Sequence, residues 1–187
     1  MKKILTLCAA LLALTLCLAG CGGQTAEQPD PAPTGQEETA TDPELALYGG
    51  DGAAIALRGD VDGLAALDVQ IETDPDAEPI YQEGDAWMTY TCPGLTATGY
   101  RTAATGAVAL TRIDATREDL ETHRGIAVGA TREEVRAAYG DELRDEPYWD
   151  EQGDYLWYGT EGGFGGALLF RFQEDRVSEL VLNWIVD

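Results

Sequence analysis

The last 33 residues of the chain, 155–187, restrict its fold more than any other part. Residues 155–158 are rich in aromatics, 159–166 in glycine, and 167–172 in apolar side chains. Residues 173–175 then make a tight turn, after which Val177, Leu180, Leu182, Trp184 and Val186 mostly keep a two-residue period. Parallel neighbours need a crossover of about a dozen residues or more, and neither connection is that long. Three strands in an antiparallel meander are therefore expected here.

Similar signals occur upstream. Residues 53–57 form a short apolar run, 87–91 an aromatic and β-branched one, and 95–102 and 107–113 two further strand candidates. Pro93-Gly94 suits the two central positions of a type II turn between strands 87–91 and 95–102. Val69 and Ile71 read as a strand fragment that gives way to an acidic, proline-containing loop.

The clearest helix signal is at 131–140. Thr131 is an N-cap with Glu134 three residues on, Val135, Ala138 and Tyr139 share one face, and Gly140 closes the end. Val61, Leu64 and Leu67 at helical spacing predict a second short helix over 60–67, with Gly63 inside it. Residues 63–68 resemble 135–140, and each short helix precedes an aromatic strand. The expected class is α+β: short helices packed on an antiparallel sheet, as two tandem helix-plus-meander repeats over about 53–114 and 125–187 within one globular domain, 44–187.

The N-terminal segment is of a different kind. Lys2 and Lys3 precede an apolar run over 4–18, which ends Leu18-Ala19-Gly20-Cys21. A basic start, a short apolar core and small residues before a cysteine form a lipoprotein signal with a lipobox, expected to be removed over 1–20. The run is shorter than the roughly 20 residues that span a bilayer. Cys21 is the expected lipid acceptor, its covalent diacylglycerol being the only prosthetic group implied. More than one acyl chain gives stable anchoring at the extracytoplasmic face. Residues 22–43 carry no aromatic and no large aliphatic side chain, and read as a disordered tether.

Charge and cysteine usage exclude several functions. Only Lys2 and Lys3 of the 12 basic residues are lysines, against 34 acidic residues and a formal net charge of −22. So negative a chain is unsuited to nucleic acid, where neutralisation of phosphates dominates affinity. With Cys8 and Cys17 in the leader and Cys21 lipidated, Cys92 is left as a lone thiol, and the core has to come from burial alone.

The run Gly125-Ile126-Ala127-Val128-Gly129-Ala130-Thr131-Arg132-Glu133-Glu134-Val135, followed by Tyr139-Gly140, carries a resemblance. It is similar to the repeat of small bacterial lipoproteins of the β-lactamase-inhibitor-protein-like and BamE (SmpA-OmlA)-like group, most of all to uncharacterised Gram-positive lipoproteins. Met88-Thr89-Tyr90 and Pro93-Gly94-Leu95 extend it into the first half, so that it covers most of 53–187. The resemblance implies a helix-and-sheet fold, a Gram-positive host and protein binding, and brings no catalytic residues with it.

No nucleophile elbow, phosphate loop, dinucleotide fingerprint or zinc-ligand set is present in the sequence. His123 is the only histidine, so Cys92 has one possible base, and the reading is a non-enzymatic protein. Acidic residues crowd the segment after the helix, where Asp145, Asp150 and Asp154 are weak calcium candidates whose spacing fits no EF-hand. Tyr148, Trp149, Tyr155 and Trp157 cluster there too and are the candidate partner-binding residues. The expected function is binding of another envelope or secreted protein. A calcium- or small-ligand-binding surface protein and a cryptic hydrolase are the alternatives.

Overall fold

A computed structural model describes residues 42–74, 82–149, 151–159 and 165–185. These lie in one compact unit, Thr39–Asp187. Ten strands form two antiparallel sheets, with a single α-helix among the described residues. The strands are β1 (Ala46–Gly49), β2 (Ala54–Ala56), β3 (Gln70–Asp74), β4 (Ala86–Cys92), β5 (Leu95–Arg101), β6 (Val108–Ala115), β7 (Leu120–Thr122), β8 (Tyr155–Gly159), β9 (Gly165–Gln173) and β10 (Arg176–Ile185); the helix is α1 (Arg132–Tyr139). The small sheet has the order β2-β1-β7, and the large one β3-β4-β5-β6-β10-β9-β8.

Two local predictions hold. Thr131 accepts the Glu134 N–H at 3.2 Å while the Glu134 carboxylate takes the Thr131 N–H at 2.7 Å, so the capping box starts α1. Gly94 adopts a positive φ of 74°, as a type II turn requires, and joins β4 to β5 with Cys92 opposite Leu95.

The α+β class with two helix-plus-meander repeats is corrected to a mostly β fold with one α-helix. Instead of a helix over 60–67 there is a 3-10 turn, Asp62–Leu64. Its cause is a backbone contact: a Cβ on Gly63 would lie 1.9 Å from the Ala54 carbonyl oxygen, so the chain presses directly onto β2 and has no room for a helical turn. Among the described residues the first half therefore has no counterpart to α1. The two meanders, β3–β6 and β8–β10, are merged into one sheet by the β6–β10 pairing.

The inner face of the large sheet carries Met88, Tyr90, Leu95, Ala97, Leu110, Ile113, Leu168, Phe170, Leu180 and Leu182, all buried. The small sheet and α1 contribute Leu47, Ile55, Leu120, Val135 and Tyr139 to the same core. Tyr139 stacks at 5.0 Å on Phe170 and 5.3 Å from Tyr158, fixing the end of α1 over β8 and β9. Arg124 lies 4.5 Å over the Tyr139 ring and pairs with Glu44 at 2.8 Å and Glu142 at 2.6 Å. The start of α1 is held by backbone bonds from Val177 to Ala130 (2.8 Å) and from Arg132 to Asp175 (3.1 Å). Both ends of the helix are thus fixed, which decides where the following loop leaves.

Candidate functional site

The loop between α1 and β8 starts along a sheet edge. Arg144 and Trp157 exchange two backbone hydrogen bonds, at 2.9 and 3.0 Å, so the chain runs beside β8 and covers the middle of that edge. It then crosses the outer face of β8, β9 and β10. Tyr148 stacks on Trp157 at 4.9 Å, and with Ala167, Leu169 and Val181 the two form a second buried cluster on this face. The Trp157 indole N–H donates to the Glu146 carbonyl at 3.1 Å, and the Tyr148 N–H donates to the Tyr155 hydroxyl at 2.8 Å. Burial pushes the Tyr148 hydroxyl up to about 12, although Asn183 pulls the other way. Among the described residues that hydroxyl is buried without a hydrogen-bond partner.

The far end of the loop is held electrostatically. The Glu151 carboxylate bridges Arg112, at 2.8 Å, and Arg171. Arg112 also binds Asp114 at 2.7 Å, and Arg171 reaches Glu179 at 3.2 Å and the Gln152 carbonyl at 2.7 Å. Glu179 is half-buried beside Asp114; desolvation first and that negative neighbour second hold its carboxyl above the usual range. On the other side of the loop, Arg132 of α1 pairs with Asp154 at 2.6 Å and Asp175 at 2.8 Å while lying 3.8 Å over the Phe172 ring.

Between α1 and the loop lies an open cleft of about 440 Å³, lined by Arg132, Arg136, Asp145, Glu151, Asp154 and Tyr155 among others. Its charges are mixed, and most are engaged in the ion pairs above. Asp145 and Asp154 both line it, but Asp154 is committed to Arg132; Asp150 lies outside the described residues. Among the described residues no group of three or more His, Cys, Asp or Glu is placed to hold a metal ion.

Three of the four aromatic candidates, Tyr148, Tyr155 and Trp157, meet, and mostly on the inside. Tyr148 and Trp157 are 2 % and 3 % exposed, Tyr155 is half-buried, and Trp149 alone is well exposed, at 52 %. Trp149 has a left-handed backbone, φ 49°, which an L side chain adopts only when its surroundings impose it. Cys92 and His123 have other neighbours: the Cys92 thiol takes a weak contact from Arg117 at 3.7 Å, and exposed His123 stacks with Tyr48 at 5.9 Å. Cys21 lies outside the described residues. No helix among the described residues is long and apolar enough to cross a membrane.

Sequence reasoning missed the Glu151 bridge, because Arg112 and Arg171 come from strands remote in the chain and nothing local marks them as partners. It also missed exposed Ile71, whose alternation with Gln70 and Glu72 was legible but whose position at a sheet edge was not. Compared with family models, curated proteins and solved structures, the chain matches none.

Proposed function

We propose that this chain is a lipid-anchored, extracytoplasmic, non-enzymatic lipoprotein that binds another envelope or secreted protein through the α1–β8 loop. The anchor rests on the lipobox at Cys21 and the basic, apolar leader before it. The binding reading rests on one observation above all. Trp149 stands half-exposed on a loop whose remaining aromatics are buried and whose flanks are fixed by Arg144, Tyr148 and Glu151. An exposed aromatic on a pre-ordered support loses little entropy on docking and is the type of side chain that dominates interfaces. The cleft beside Arg132 favours the small-ligand alternative in second place.

Metabolic labelling with a palmitate analogue tests the anchor: label and membrane association should both vanish in Cys21→Ala. Chemical crosslinking in host envelopes, at moderate salt, tests the binding face. One partner captured by the native chain and lost with Trp149→Ala, the fold being unchanged by circular dichroism, supports the reading. Equal capture by both chains removes the loop from it.

A further inference from the structure

Strand β3 is exposed along its whole length, all five residues of Gln70–Asp74 being on the surface. It pairs with β4 alone, so among the described residues its far edge meets no other strand. The register sorts its side chains. Ile71 and Thr73 lie opposite Tyr90 and Met88, which belong to the inner-face core, while Gln70, Glu72 and Asp74 lie opposite Thr91, Thr89 and Trp87 on the outer face. Ile71 is 59 % exposed, the most exposed large apolar side chain described. The edge therefore offers an apolar step on one face and acidic side chains on the other.

Charge on an edge strand is a common guard against unwanted pairing. Here it guards selectively, because an exposed isoleucine on the inner face invites cover. Residues 22–43 do not match it, being acidic and without a large aliphatic or aromatic side chain. A second copy is repelled, since antiparallel self-pairing centred on Glu72 sets Glu72 against Glu72 in a chain of net charge −22. The chemistry that matches is the opposite one: basic side chains at alternate positions with β-branched ones between.

We propose that β3 accepts an extended, basic segment of another protein as an added antiparallel strand, with Lys or Arg opposite Glu72 and a β-branched residue covering Ile71. Main-chain hydrogen bonds to the open edge supply affinity, and the alternation supplies specificity. This surface is at the other end of the strand order from the α1–β8 loop, and the proposal does not depend on binding by that loop.

The test uses the full chain in a neutral detergent and a fluorescent peptide alternating lysine and valine, read by anisotropy at moderate salt. Saturable binding is expected, with slowed amide exchange at residues 70–74. Glu72→Lys, which leaves an exposed position exposed, should weaken it about tenfold, as should replacing the central valine of the peptide by proline, which cannot donate to the ladder. Ile71→Thr keeps strand propensity and should weaken it about threefold. Trp149→Ala should leave it unchanged. The proposal is overturned by absent binding, by equal affinity for a peptide of the same composition with its lysines and valines in separate blocks, or by unchanged affinity in Glu72→Lys.

Discussion

At the β8 end of the large sheet the chain comes back after α1, bonds to Trp157 through Arg144, and lays Tyr148 across Leu169 and Val181. At the β3 end no described segment returns, and the outer face shows Thr89, Thr91, Thr96 and Thr98, paired across β4 and β5 and half-buried or exposed. The outer face is thus apolar where the loop covers it and rich in threonine along much of β4 and β5, with the Trp87–Tyr100 pair at one end. Each end also has its own polar fastening. At β8 it is Glu151 between two arginines; at the other end it is Asp85, which accepts the Tyr100 hydroxyl and the Ala103 N–H at 2.8 Å. Cover decides which strand faces are free to meet a partner.

The largest test of this contrast is Trp157→Ala against Trp87→Ala. Trp157 is buried between the loop and the sheet, and its loss should cost about 4 kcal/mol in denaturant unfolding, whereas half-exposed Trp87 should cost about 1–2 kcal/mol. Equal costs would mean that the loop contributes no real cover. Next comes Glu151→Gln, which leaves Arg112 and Arg171 facing each other without their shared carboxylate. A loss of about 2 kcal/mol is expected, together with faster amide exchange in the α1–β8 loop but not in β4.

Acid should act on the two ends in opposite senses. The Tyr100 hydroxyl, chiefly, holds the Asp85 carboxyl below its usual range, so its contribution is present above the ordinary carboxylate pKa and is lost as pH falls through the lowered value. Burial, chiefly, holds Glu179 above its usual range, so its contribution is complete below the ordinary value and is lost as pH rises through the raised one. Unfolding followed from about pH 6 down to about pH 3 should therefore show the native chain losing its advantage over Asp85→Asn and gaining relative to Glu179→Gln. Parallel trends would sink the assignment. The smallest effect is expected at the loop tip. Trp149→Gly should be more stable than Trp149→Ala by about 0.5–1 kcal/mol, because glycine accepts the left-handed backbone without strain.

Much of this architecture could be read from the chain. The capping box of α1, the Pro93-Gly94 hairpin and the meander after Tyr155 each depend on contacts between near neighbours, and those were legible. What was not legible depends on distance. Strands β1, β2 and β7 have four, three and three residues, too short for a period to register, and they become a sheet only when Leu47 meets Ile55 and Thr122. The 60–67 segment shows apolar spacing that suits a helix, yet Gly63 against Ala54 overrides it. At the site, alternation within 155–158 sets Tyr155 and Trp157 on one face and Leu156 and Tyr158 on the other, and the two pairs join different buried clusters. It could not show that Tyr148, arriving from the loop, would bury the first pair, because that cover is fixed by Arg112 and Arg171.

The position of β10 affects the order of assembly. It is the last of the described strands, yet it lies between β6 and β9 in the sheet. A growing chain can form the hairpins of β3–β6 early, and β8 with β9 later, but these two blocks touch through β10 alone within the sheet. Contacts this remote in sequence slow folding, since loop closure must precede any gain from pairing. The central seam therefore cannot close until β10 is in place between β6 and β9.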